Sequence, residues 1–224
     1  MSSERGLCLA NITVTVRSQG ETLPILDVPA LAIDDGARIG LAGPSGSGKT
    51  SLLHIIAGLL RPDRGTVMWD GSSVSELGEA ARACWRRQVV GMVFQDFLLV
   101  PEMTALANVL LPCSFSGVSA RDQQVPAIVL LRELGITTPA RRAAAMSRGE
   151  QQRVAIARAL LVKPKLILAD EPTASLDATT AAAITDLLVT QAAATGATLV
   201  VVSHDAQLLA RMDRVVHLDR GRLA

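Results

Sequence analysis

The chain has 224 residues, 49% of them hydrophobic, and a net charge of +1 at neutral pH. That length and apolar content suit one large domain with a real core, and the near-balanced charge provides no broad basic surface for nucleic acid. No apolar run approaches the ~18 residues of a membrane span and the first residues lack an apolar signal core, so any membrane role is expected to come through a partner, without direct insertion.

In chain order, residues 11–16 alternate in polarity and are β-branched, which predicts a half-exposed strand. Residues 25–33 form a second extended segment. Its Pro29 belongs at a sheet edge, because proline has no N–H to give a ladder. Residues 38–42 read as a buried strand and 51–57 as a helix closed by Gly58. A short strand over 66–69 completes a region that mixes antiparallel strands with one strand-loop-helix unit. Residues 80–88 read as a helix with Arg82, Arg86 and Arg87 on its solvated face. A strand over 89–94 leads to Gln95 and an apolar loop over 97–101. Helices are expected over 104–111, 121–134, 151–162 and 178–194, and short strands over 166–169, 198–202 and 215–218. Continuously apolar strands alternating with helices imply an α/β fold whose parallel sheet is covered on both faces. Cys8, Cys84 and Cys113 are scattered, without metal-ligand spacing, and read as reduced cytosolic thiols.

Between the buried strand and its helix lies Gly43-Pro44-Ser45-Gly46-Ser47-Gly48-Lys49-Thr50, which fits G-x-x-x-x-G-K-[ST]. Glycines allow the backbone to curl around a phosphate. The N–H groups of about Gly46 to Thr50 then point inward at a helix N-terminus, as an anion nest. Lys49 adds a mobile charge for the β- and γ-phosphates, and the Thr50 hydroxyl is placed to ligate Mg²⁺. Further on, the apolar segment 166–169 ends in Asp170-Glu171. In a parallel sheet, ligands sit beyond the strand C-termini. Asp170 is therefore expected to hold Mg²⁺, and Glu171 to act as general base on the attacking water.

These residues carry a resemblance. Over nearly its whole length the chain resembles the nucleotide-binding subunit of an ATP-binding-cassette (ABC) transporter. After the phosphate loop and its following Ser51, Gln95 in Val93-Phe94-Gln95-Asp96 resembles the Q-loop. Residues 146–153, with Ser147, Gly149 and Gln151, resemble the family signature. Leu166 to Glu171 resembles the Walker B strand with its catalytic glutamate, Ser175-Leu176-Asp177 the D-loop, and His204 the switch histidine. The resemblance implies a RecA-like P-loop NTPase core, an N-terminal antiparallel β subdomain and an inserted helical subdomain over roughly 96–160, within a single domain spanning 1–224. It implies ATP and Mg²⁺ as cofactors, with Gln95 sensing the metal and the water beside Thr50 and Asp170, and His204 contacting the γ-phosphate. It also implies a head-to-tail homodimer. There Ser147, Gly149 and Gln151 of one copy cap ATP held by the other, and Asp177 meets the opposite subunit. The expected partner is a transmembrane permease, with the cassette cytoplasmic and peripheral on the inner face of the cell membrane.

Two positions depart from the family pattern. The first glycine of the signature is replaced by Arg148, which is expected at the dimer interface. The aromatic that stacks on adenine is missing, because no aromatic precedes Trp69. Val16 and Arg17, after the first strand, are the expected neighbours of the base. His54 and His217 match no family position and read as structural. Residues 97–112 resemble the lipoprotein-releasing and macrolide-export branch, and the apolar strip 97–101 is expected to receive a coupling helix from the permease. A regulatory cassette of the cell-division type, transmitting force to an extracellular hydrolase, is an alternative. A soluble non-transport cassette is another, without the coiled-coil insertion or tandem cassette that its known kinds carry.

Overall fold

The computed structural model describes residues 6–18, 21–116, 118–174 and 176–224, with the backbone alone for residues 17, 18, 21, 22 and 116. Two sheets organise them. β1 (Leu7–Ser18) and β2 (Glu21–Ile33) form a long antiparallel pair with a register shift between Val14 and Thr15. β3 (Arg38–Ala42) follows and leads through the phosphate loop into α1 (Lys49–Ile56). β4 (Arg64–Trp69) and β5 (Ser72–Ser73) complete a four-stranded sheet in the order β2-β1-β4-β5. Pro29 thus sits on an edge strand.

α2 (Glu79–Val89) then runs into β6 (Val90–Val93). A helical stretch follows: α3 (Ala105–Leu110), α4 (Cys113–Ser116), α5 (Ala120–Glu133) and, after a short 3-10 turn, α6 (Arg148–Leu160). The chain closes with β7 (Leu166–Asp170), α7 (Ala178–Thr195), β8 (Thr198–Val202), α8 (Ala206–Leu209), β9 (Arg214–Asp219) and β10 (Arg222–Leu223). The second sheet has the order β10-β9-β3-β8-β7-β6. Its first five strands in sequence are parallel, and β10 turns back antiparallel on the edge.

Every residue of β7 and β8 is buried, which explains their unbroken apolar runs. Successive side chains face opposite sides. Ile167, Ala169, Leu199 and Val201 join a core with α3, α5, α6 and α7. Leu166, Leu168, Val200 and Val202 join a second core with Ile39, Leu41, α1 and the antiparallel sheet. Each such Leu, Ile or Val stabilises the fold by roughly 1.5–3 kcal/mol on burial. The sheet is clamped between two cores, and its C-terminal edge is left to carry chemistry.

Several boundaries move. The phosphate-loop helix begins at Lys49 rather than residue 51, Val89 ends α2 instead of opening β6, and α6 begins at Arg148. The expected solvated face of α2 is corrected at one position, since Arg82 is 7% exposed. Gly58 has a left-handed φ of 65°, and a Cβ there would lie 3.1 Å from the Arg82 Cγ. The missing side chain leaves room for the arginine stem, which buries its methylenes. Arg82 pairs with Glu79, Arg86 donates to the Gly58 carbonyl, and Arg87 stays exposed.

Candidate active site

β3 and β7 lie on either side of β8, so their C-terminal ends open towards one cleft. The phosphate loop caps β3. Gly43, Gly46 and Gly48 all have positive φ, at 147°, 77° and 99°. A Cβ on Gly43 would fall 2.0 Å from the Leu218 carbonyl oxygen, so any larger residue would push the loop off β9. Gly48 is the N-cap of α1, with no side-chain cap and no acidic residue in the first turn. The positive end of this helix is left for an external anion. Lys49 is buried and folds back over the loop, its Nζ donating to the Gly43 and Pro44 carbonyls at 2.9 Å each. The Ser47 hydroxyl is buried with no hydrogen-bond partner.

Asp170, the last residue of β7, is 5% exposed. The Thr50 hydroxyl donates to its Oδ1 at 3.3 Å. Burial pushes the Asp170 carboxyl above its ordinary range, partly offset by that hydrogen bond. Glu171 follows in a left-handed conformation, φ 46°, an unusual state for glutamate. Its N–H is pinned to the Val202 carbonyl at 2.9 Å. This strain aims the side chain at the cleft, where Oε2 is buried without a hydrogen bond. The His204 Nδ1 lies 2.9 Å from that oxygen, close enough for an ion pair but misaligned for a hydrogen bond. Gln95, just past β6, is exposed on the same cleft.

The cleft encloses about 930 Å³ and brings together Gly43, Pro44, Ser45, Gly46, Gly48, Lys49, Thr50, Ser51, Gln95, Glu171 and His204. Ser47 and Asp170 sit immediately behind its wall. Val16 also lines it. The side chain of Arg17 and the whole of Ser175 lie outside the described residues.

Ser147, Gly149, Gln151 and Asp177 do not line this cleft. Ser147 is the N-cap of α6. Its hydroxyl oxygen accepts from the Glu150 N–H at 3.2 Å, and Glu150 Oε2 accepts from the Ser147 N–H at 2.7 Å. The Ser-x-x-Glu spacing is a sequence signal for this capping box. Gln151 donates to the carbonyls of Ala143 and Met146 within the same chain. Asp177 caps α7 by accepting from the N–H and hydroxyl of Thr180 at 3.0 and 2.7 Å, and these bonds hold its carboxyl below the ordinary range. Gly149 faces Thr180 so closely that a Cβ would lie 2.7 Å from its Cγ2. The signature helix is also tied to the Asp170-Glu171 loop, since buried Gln152 donates to the Pro172 carbonyl at 2.7 Å.

The strip 97–101, expected to receive a coupling helix, is split: the Leu98 and Val100 side chains are exposed, whereas Phe97 is not. Phe97 is buried under the Arg148 guanidinium, and the carbonyls of Phe97 and Leu98 accept from Arg158. The nearby apolar groove, about 240 Å³, is lined instead by residues that include Leu59, Met92, Phe94, Pro112 and Val162, with Arg86, Arg87 and Arg158 on its wall.

The chain is similar to known proteins over most of its length. A family model described as ABC transporter matches residues 26–174. The lipoprotein-releasing system ATP-binding protein LolD of Geobacter metallireducens is 44% identical over 206 residues, covering 91% of this chain and 92% of that one. LolD 2 of Caulobacter vibrioides is 43% identical over 222 residues, covering 99% and 97% respectively. Among solved structures, a dimeric ATP-binding cassette in a post-hydrolysis state, bound to ADP and Pi, matches with a TM-score of 0.88 at 36% identity, covering 97% of this chain and 96% of that one.

Proposed function

The chain belongs to the ABC transporter family, and we propose that it is the subunit that binds and hydrolyses ATP to drive a separate membrane permease. One observation carries this reading: phosphate loop, Gln95, Glu171 and His204 share a single cleft, with Asp170 behind it. The triphosphate lies along the loop, received by the N–H groups at the start of α1. Lys49 exchanges its two carbonyl partners for phosphate oxygens.

The residues fit a divalent cation. A hydroxyl and a buried carboxylate stand 3.3 Å apart beside the loop, and burial, with the neighbouring Glu171, disfavours the carboxylate's charge. Thr50 and Asp170 would hold Mg²⁺, with Gln95 reaching the same shell. Bound there, Mg²⁺ supplies charge neutralisation at the β- and γ-phosphate oxygens. Glu171 takes the proton of the attacking water, and its oxygen without a hydrogen bond is free to accept it. His204 stands beside Glu171 and contacts the γ-phosphate.

Ser147, Gly149, Gln151 and Asp177 require a second copy to reach nucleotide. Ser147 uses a lone pair for Glu150, which leaves its hydroxyl hydrogen for a phosphate of the partner's ATP. Gly149 keeps the backbone approachable, Gln151 shapes the loop before α6, and Asp177 fixes the start of α7 near the joint. Closure is a ligand-driven shift between two states, reversed when hydrolysis removes the bridge. The solved dimer with ADP and Pi supports this arrangement.

No helix among the described residues is long and apolar enough to cross a membrane. The chain is read as peripheral on the cytoplasmic face, its apolar groove receiving a helix of the permease. Two of its relatives are named as lipoprotein-releasing proteins, which supports a permease of that branch as partner. The test is phosphate release by the purified chain with ATP. Release is expected with Mg²⁺, and none with chelator or in Lys49→Ala. Ordinary turnover by Lys49→Ala would overturn the assignment.

A further inference from the structure

We propose that Arg220 covers the nucleobase of the bound nucleotide, taking the place of the ring that this cleft lacks; the inference rests on the nucleotide reading above. The cleft has two ends. Gln95, Glu171 and His204 mark the end where the terminal phosphate reacts. A separate wall, supplied by β1, β2 and the turn after β9 instead of the ends of β6, β7 and β8, consists of Val16, Leu23, Pro24, Ile25 and Arg220. Val16 and Leu23 are register partners across β1 and β2, and they stand 45% and 46% exposed. Side by side, they form an apolar shelf for one face of a flat base. Among the described residues, Arg220 is the one polar side chain on this wall.

The backbone holds Arg220 there. It occupies the two-residue turn between β9 and β10, with φ 45°, followed by Gly221 at φ 80°. Such turns favour Asn-Gly, and arginine in the left-handed region is uncommon. The turn is fixed from both sides. Gly221 donates its N–H to the Ser47 carbonyl of the phosphate loop at 3.0 Å, and its carbonyl accepts the Asp27 N–H at 2.8 Å. A Cβ on Gly221 would fall 2.3 Å from the Ile25 carbonyl oxygen. Arg220 is thereby anchored to both the phosphate loop and the apolar shelf. Its neighbour Arg222 is paired with Asp27 at 3.0 Å, whereas Arg220 is exposed and has no ion-pair or hydrogen-bond partner among the described residues. A guanidinium is planar, weakly hydrated and stacks on aromatic faces, so it can close the second face of the base. Stacking does not read base edges, so purine identity counts for little.

The test is equilibrium titration of the full chain, with Mg²⁺ present, using ATP, GTP and inorganic tripolyphosphate. The variants are Arg220→Asn, Arg220→Lys and Lys49→Ala. Asparagine suits the left-handed turn, so Arg220→Asn removes the guanidinium while keeping the backbone. Wild type is expected to bind ATP and GTP within a few-fold of each other. Arg220→Asn should weaken both by roughly tenfold and leave tripolyphosphate binding unchanged. Arg220→Lys should not restore the loss, because an ammonium has no plane to stack. Equal losses for ATP and tripolyphosphate would overturn the inference and place Arg220 on the phosphates. Unchanged ATP binding in Arg220→Asn would also overturn it. If Lys49→Ala keeps full affinity for tripolyphosphate, the phosphate-loop reading itself fails, which is a distinct outcome.

Discussion

The guanidinium carbon of Arg148 lies 5.0 Å from the centre of the Phe97 ring. The contact joins the start of α6 to the loop that follows β6. It sits where the family signature has a glycine, and so replaces backbone freedom with a tether. A cation–π contact whose arginine is open to solvent contributes about 0.5–1 kcal/mol. Arg148→Gly should therefore lower the melting midpoint by about 1–4 °C. It should alter ATP-driven dimerisation and leave ATP affinity of the monomer unchanged. Calorimetry and nucleotide titration check both parts. A changed monomer affinity with unaltered dimerisation would move Arg148 into the phosphate site.

The Ser147–Glu150 capping box makes the start of the signature helix sensitive to acid. The Ser147 N–H, and then Arg141 at 3.0 Å, hold the Glu150 carboxyl below its ordinary range. A carboxylate with a lowered folded pKa contributes stability that is present above the unfolded pKa, about 4.3 for glutamate. That stability is lost as pH falls through the folded value. Glu150→Gln keeps an acceptor for Ser147 but loses the charge at the helix N-terminus, an effect of about 0.3–1 kcal/mol. Wild type should melt up to about 4 °C above Glu150→Gln at pH 7, with the gap closing as pH falls below about 4.3. A gap unchanged at low pH would count against the charge as its source.

Gly149 and Thr180 form a tight steric pair. A Cβ at 149 would sit 2.7 Å from the Thr180 Cγ2, and Thr180 cannot swing aside freely because Asp177 holds its hydroxyl at 2.7 Å. Gly149→Ala should destabilise the fold by about 1–3 kcal/mol, the usual range for overpacking. Thr180→Ser removes the clashing methyl and keeps the hydroxyl. The double variant should recover most of the loss in denaturant unfolding. A purely additive double variant would show that the two residues are not in contact.

The chemistry of the cleft was legible in the sequence because it is local. Eight consecutive residues make the phosphate loop, and Asp170-Glu171 follows directly on an apolar strand, so spacing alone announces where they meet. Gln95 and His204 could be placed through the order of family motifs. What spacing could not show depends on contacts between distant segments. Arg82 looks solvated on a helical wheel, yet the absent side chain of Gly58 draws it inside. Leu23 joins the cleft beside Val16 through the β1–β2 register, and Arg220 because Gly221 is hydrogen-bonded to Ser47, a pairing with no local signature. Hydrophobicity marked the strip 97–101 as a unit, but Arg148 covers Phe97 while Leu98 and Val100 stay exposed, a division set by contacts from α6. The pairings of Ser147 with Glu150 and of Asp177 with Thr180 were written in plain spacing, three residues apart at a helix start.

The central claim is that ATP is hydrolysed in a cleft completed by a second copy, with Glu171 as the base. Glu171→Gln keeps the shape of the side chain but cannot accept the proton of water. Size-exclusion chromatography of this variant with saturating ATP and Mg²⁺ tests the claim most directly, read beside phosphate release from the same samples. The account predicts a stable dimer, more abundant than for wild type, with hydrolysis abolished. A variant that remains monomeric at saturating ATP, or that hydrolyses ATP at the wild-type rate, would contradict it.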